Sequence, residues 1–205
     1  MNALRVGVLA SGTGTNLQAI LDRLHGREGV EVVAVGSDQP GAQALERATS
    51  AGVETALFAR DDHPDRPARD AAMADWLERR GVRLVVLAGY MQLLSPAFLQ
   101  RFPGRVVNVH PALLPAFRGI HAIEQALDYG VKVFGVTVHF VDEGVDTGRI
   151  ILQRAVDLPA ATEPEEVRAA LRPIEHDLLC EAVRLIARDA VRLDPAHPRR
   201  VLVAQ

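Results

Sequence analysis

Short runs of β-branched and aliphatic residues recur through the first half of the chain, at 6–10, 30–35, 53–58, 84–88 and 106–109, and helical spacing of apolar residues fills most of the gaps between them. Leu17, Ile20, Leu21 and Leu24 form one such set, a single apolar stripe at a period near 3.6. Continuously apolar strands separated by amphipathic helices predict a parallel sheet with helices on both faces. The pattern changes after Gly130, where the runs at 131–141 and 150–156 follow each other with only the 142–148 loop between them. That succession predicts an antiparallel, hairpin-like extension. Pro164 behind Thr162 or Glu163 marks the start of a closing helix, with Val167, Leu171, Ile174, Leu178, Val183 and Ile186 on its buried side. Pro173 should kink or split that helix. The tail from 189, with Pro195 and Pro198, reads as a surface strand or loop. The expected fold is α/β, a Rossmann-like open sheet, mostly parallel, with an antiparallel C-terminal extension. The expected organisation is one domain over 1–205, with halves at 1–100 and 101–190.

Composition narrows the function. A formal charge of −3 supplies no basic field, so no nucleic-acid partner is expected. The one cysteine, Cys180, excludes an internal disulfide and sits in the apolar pattern of the last helix, as a small buried hydrophobe would. Lysine occurs once, at Lys132, which leaves Schiff-base chemistry and a Walker-type phosphate lysine almost without candidates. The first residues lead straight into the 6–10 run, too short for a signal segment or a span, so a cytoplasmic protein without a membrane partner is expected.

Two polar clusters carry the chemistry. In Asn108-Val109-His110-Pro111 an amide and an imidazole stand two residues apart at the carboxyl end of an apolar strand, so they project to one side where open α/β sheets hold their ligands. Thr137-Val138-His139-Phe140-Val141 continues into Asp142, Glu143, Gly144, Val145, Asp146, Thr147 and Gly148. Together the clusters offer the groups needed to transfer protons around a polarised carbonyl. His139 reads as support for the site or as a core histidine, and Asp142 and Glu143 as a solvated loop that contributes backbone. No compact ligand spacing appears among His110, His139 and Asp146, so no metal is expected. Ser11-Gly12-Thr13-Gly14-Thr15-Asn16 is a glycine turn between a strand and a helix, whose backbone N–H groups can cradle a phosphate monoester. A structural turn and a dinucleotide site remain alternatives, the latter lacking its third glycine, with Asp38 as a possible ribose acid.

These residues resemble the phosphoribosylglycinamide formyltransferases, the folate-dependent glycinamide ribonucleotide transformylases of purine synthesis. The matching segments are 11–20, Val85-Val86-Leu87-Ala88-Gly89-Tyr90-Met91, Leu94-Ser95-Pro96, Asn108-Val109-His110-Pro111 with Leu113-Leu114-Pro115, and 137–148. The resemblance implies formyl transfer from 10-formyltetrahydrofolate, as co-substrate and without a metal, to the amine of glycinamide ribonucleotide. It implies Asn108, His110 and Asp146 as the catalytic trio, and Gly14, Thr15, Asn16 and Glu175 as the nucleotide contacts. Folate would meet Arg66, Met91, Gln92, Leu93, Leu94, Asn108 and the loop of Asp142, Glu143, Gly144, Val145 and Asp146. Gln92 stands where an arginine is frequent in that family, and Ala116-Phe117-Arg118 varies the segment after the prolines. The partners would be these small molecules, in a monomer or homodimer. Formyltetrahydrofolate deformylase, a hydrolase using the same trio, is the alternative; its kind carries an amino-terminal regulatory domain that is not expected ahead of Val6. Methionyl-tRNA formyltransferase would need a basic RNA-binding domain, and a nucleotide sensor would have no use for the trio.

Overall fold

The computed structural model describes residues 3–204 and contains two compact units, one up to residue 108 and one from residue 109. The first contains β1 (Leu4–Leu9), α1 (Thr15–Arg23), β2 (Val30–Ser37), α2 (Gln43–Ser50), β3 (Thr55–Leu57), a 3-10 turn (Arg60–Asp62), α3 (Arg66–Arg79), β4 (Leu84–Leu87) and α4 (Pro96–Arg101), and ends within β5 (Val106–His110). Its strands lie in the order β3-β2-β1-β4-β5, every pair parallel. That order reverses direction between β1 and β4, and the crevice beyond the carboxyl ends of two such strands is where a doubly wound sheet receives ligands. Val6, Val8, Leu9, Val85 and Val86 are fully buried, the result expected for strands covered on both faces. The expected 53–58 run shortens to three paired residues, with the Val53 N–H bonded to Ala48 in α2 and not to the sheet.

Side-chain caps define α3 and α4 and are missing from α1 and α2. Asp65 accepts from the Ala68 N–H at the start of α3, and Ser95 from the Phe98 N–H at the start of α4. No side chain caps α1, whose first turn follows Gly14 in the left-handed conformation. Inside α3, Arg69 and Asp70 form a buried ion pair at 3.0 Å, and the other Asp70 oxygen accepts from the Ser95 N–H at 2.6 Å. This bond ties the loop that leads into α4 to α3.

The second unit continues from the end of β5 through α5 (Ala122–Tyr129), β6 (Val133–Phe140), β7 (Ile150–Asp157), α6 (Pro164–Ala187) and the short strands β8 (Val191–Leu193) and β9 (Val201–Val203). β6 and β7 are antiparallel, as the uninterrupted succession of apolar runs predicts. The α/β class, mostly parallel with an antiparallel C-terminal extension, is therefore the fold observed. The tail is more ordered than expected, since β8 and β9 pair as an antiparallel hairpin. Pro173 does not split the closing helix. α6 runs unbroken for 24 residues with Val167, Leu171, Leu178, Leu179 and Val183 buried along it, and that packing offsets the roughly 3 kcal/mol a helix-interior proline costs. Among the described residues no helix is long and apolar enough to cross a membrane.

Replacing Asp70 with Ala should lower unfolding stability by about 3–5 kcal/mol, because it leaves a buried guanidinium without its partner. Urea denaturation of Asp70→Ala beside an Arg69→Met, Asp70→Leu double variant measures this, and the double variant should recover much of the loss.

Candidate active site

β5 carries the first two site residues. Asn108 and His110 alternate with the buried Val107 and Val109, so both project from one side of the strand, Asn108 half-buried and His110 only 5% exposed. Two hydrogen bonds to a single hydroxyl hold the chain beyond His110: buried Thr137 donates to the Ala112 carbonyl at 2.7 Å and accepts from the Leu114 N–H at 3.1 Å. Gln153 donates to the Leu114 carbonyl and to the same hydroxyl, each at 2.9 Å. Sequence reasoning noted Thr137 only as part of a motif. The missed signal is a polar residue at a fully buried position of β6.

Asp146 lies on the loop between β6 and β7 with φ of 49°. One carboxylate oxygen stands 3.4 Å from His110 Nδ1 and accepts from the Gly119 N–H at 2.8 Å. The other stands 3.5 Å from His139 Nε2. A register shift between Val138 and His139 bends β6 at this point, and such bulges re-aim side chains beside functional sites. Each imidazole is held at its far nitrogen by a backbone carbonyl, His110 Nε2 by Phe117 and His139 Nδ1 by Phe140, both at 2.8 Å. Two lone pairs cannot share that distance, so both of those nitrogens carry the proton. His139 is thus a buried support for Asp146, within the roles expected of it. His110 Nε2, the nitrogen that does not face Asp146, is occupied by the Phe117 carbonyl, presented by a residue with φ of 51°.

The electrostatics follow from the same contacts. Burial would raise the Asp146 carboxyl, but the His139 hydrogen bond, the His110 charge and the Gly119 N–H outweigh it and hold the group at about 2. Burial pushes the His110 imidazole below its ordinary value, against the pull of Asp146 and Phe117. The loop itself is fastened internally. Asp142 accepts from the Gly144 N–H at 3.2 Å and from the Thr147 hydroxyl, so its carboxylate fastens the loop. A side chain at Gly148 would lie 1.6 Å from the Phe140 carbonyl. Glu143, Gly144 and Val145 are exposed, and Glu175 is half-buried on α6. Among the described residues no group of three or more His, Cys, Asp or Glu side chains is arranged to hold a metal ion.

In the first unit the glycine turn behaves as a helix entry. Gly14 has φ of 71°, Asn16 is buried and Thr15 half-buried. A Cβ at Gly14 would lie 2.8 Å from both Cα and Cβ of Ala44, so the glycine is needed for α1 to approach α2 as well as for any anion. Arg47, which sequence reasoning passed over, donates to the Thr13 carbonyl at 2.8 Å and brings a cation behind the turn. Asp38 is not available as a ribose acid: one oxygen accepts from Ser11 at 2.5 Å and the other from Gln39 at 2.8 Å. Met91 and Leu93 are exposed apolar side chains, Gln92 and Leu94 half-buried, and Arg66 exposed at the first position of α3.

A formyl transferase family model matches residues 4–183. Phosphoribosylglycinamide formyltransferase of Mycobacterium tuberculosis (strain H37Rv) is 44% identical over 187 residues, 91% of this chain and 86% of that protein. The trifunctional purine biosynthetic protein adenosine-3 of Drosophila melanogaster is 40% identical over 93% of this chain, which spans only 14% of that longer protein. The crystal structure of glycinamide ribonucleotide transformylase 1 from Symbiobacterium toebii superposes with a TM-score of 0.94 at 47% identity, covering 99% of this chain and 95% of that one.

Two outcomes test the site's physical basis. The folded His110 value lies below the unfolded one of about 6.5, so the unfolded chain takes up the proton first and stability present at neutral pH is lost as pH falls below about 6.5. The depressed Asp146 value adds a further loss below about 4. Melting temperatures from pH 7.5 to 5.5 should therefore fall more steeply for the wild type than for His110→Asn, and parallel slopes would assign the effect elsewhere. For the glycine turn, Gly14→Ala should lower ligand-free stability by at least about 1 kcal/mol through its positive φ, whereas Gly12→Ala, with nothing within 4 Å of its Cβ, should leave the melting temperature nearly unchanged.

Proposed function

The chain belongs to the formyl transferase family, and on that premise we propose that it transfers the formyl group of 10-formyltetrahydrofolate to the amine of glycinamide ribonucleotide, a step of purine synthesis. The observation that carries this reading is the Asp146 carboxylate set between His110 and His139, beside the resemblance to single-activity formyltransferases over nearly their whole length. The same resemblance disfavours the deformylase alternative.

The amine nitrogen attacks the formyl carbon, giving a tetrahedral species with negative oxygen and positive nitrogen. Asn108 donates its amide N–H to that oxygen, and His110 donates there from Nε2 once the Phe117 carbonyl releases it. Asp146, ionised at neutral pH, accepts the amine proton, directly or through one water. Collapse breaks the bond to the folate nitrogen, which takes up the proton that Asp146 received. In the first unit we assign Gly14, Thr15 and Asn16 to the ribonucleotide phosphate, and Arg66 with Met91, Gln92, Leu93 and Leu94 to folate. The phosphate assignment draws on the left-handed Gly14 that opens α1 and on Arg47 behind the turn. In the second unit we assign the loop of Asp142, Glu143, Gly144, Val145 and Asp146 to folate and Glu175 to the glycinamide nucleotide. No metal takes part in this scheme.

Formylglycinamide ribonucleotide formation and formate release, measured side by side, decide between transferase and hydrolase. Amine formylation should dominate, and a wild-type protein that releases formate while ignoring the nucleotide would make it a deformylase. His110→Asn and Asp146→Asn should each lower kcat by at least about a hundredfold with much smaller changes in KM, since both act on charge that develops in the transition state. Glu175→Ala should depress amine formylation more than any background hydrolysis, because only the former needs the nucleotide positioned.

A further inference from the structure

Ser11 joins the two loops that the proposed function assigns to different ligands. β1 and β4 are neighbouring parallel strands with Leu9 opposite Leu87, so the residues that follow them leave the sheet side by side. The Ser11 N–H donates to the Gly89 carbonyl at 3.0 Å. Its hydroxyl donates to Asp38 at 2.5 Å and accepts from the Met91 N–H at 2.8 Å. An ionised carboxylate only accepts, so Asp38 fixes the hydroxyl proton toward itself and turns an oxygen lone pair toward Met91. Asp38 is itself immobilised, 3% exposed and held on its other oxygen by Gln39. The result is a directed chain from Met91 through Ser11 to Asp38, in which each bond polarises the next.

Three residues after Ser11 lies Gly14, at the phosphate cradle, and Met91 is the first residue of the segment assigned to folate. Met91 and Leu93 are 68% and 56% exposed, so little side-chain packing fixes the start of that segment, and its Met91 N–H is anchored on Ser11. A ligand that orders the 11–14 turn therefore also orders the 91–94 loop. We infer that Ser11 is a positioning residue through which nucleotide bound at the phosphate turn and folate bound at 91–94 strengthen each other's binding. This inference rests on the proposed assignment of those two loops.

Calorimetric titration measures the coupling with glycinamide ribonucleotide and tetrahydrofolate, which carries no formyl group to transfer. Saturating nucleotide should tighten tetrahydrofolate binding to the wild type at least about fivefold, the lower end of usual coupling between sites. In Ser11→Ala that ratio should fall to within about twofold of unity while each ligand still binds alone, and Ser11→Thr, which keeps the hydroxyl, should restore it. A purely structural role would weaken each ligand alone and leave the ratio intact. Should Ser11→Ala fail to fold, Asp38→Asn, which leaves a neutral acceptor in place of the carboxylate, should reduce the ratio in the same direction. A wild-type ratio near one, or an unchanged ratio in the variants, overturns the inference while leaving the loop assignments standing. A wild type that binds tetrahydrofolate but not the nucleotide, nor inorganic phosphate, instead removes the phosphate-turn assignment and this inference with it.

Discussion

One carboxylate organises the second unit. Asp146 faces two imidazoles and one backbone N–H, and the low dielectric around it makes each of those contacts stronger than it would be in water. The arrangement needs every part. Without Gly119 the carboxylate would be turned by the histidines alone, and without the carbonyls of Phe117 and Phe140 the rings could rotate out of register. A bulge in β6, a left-handed residue at Asp146 and another at Phe117 are the backbone distortions that bring these groups together. Each costs some local energy, which the burial of Val136, Val138 and the α6 face offsets.

The first unit solves a different problem, that of holding loops beyond the ends of parallel strands. Parallel strands cannot turn back on themselves, so their exits are long and need fastening from outside. Polar side chains supply it: buried Asp70 for the approach to α4, and buried Asp38 with half-buried Ser11 for the segments after β1 and β4. These acids are spent inside the protein. That is why Asp38, which its place after β2 made a candidate for a ribose, is closed to a ligand.

Much of this was legible in the amino-acid order. Continuous apolar runs identified the parallel strands, and the succession without an intervening helix identified β6 and β7. Asn108 and His110 could be placed together because strand geometry is local. The relation of His110 to Asp146 was supplied by resemblance, since a contact between residues 36 apart leaves no periodic trace. Pro173 was misjudged because propensity describes an isolated helix, while α6 is held by its packing. The Phe117 carbonyl on His110 was invisible for a simpler reason: a backbone atom has no letter in the sequence. The hairpin of β8 and β9 was equally hard to read, its strands being three residues each.

The uncapped start of α1 has a consequence for how this molecule is completed. A serine, threonine or aspartate often finishes a helix's amino end, as in α3 and α4 here, whereas α1, α2, α5 and α6 carry no such side-chain bond. α1 opens on a left-handed glycine, which has no side chain with which to cap the helix. A phosphate seated there would be the missing cap, supplied by the solution and not by the gene. An anion held there would bind the folded chain and not the unfolded one, so it would favour folding in step with its own concentration.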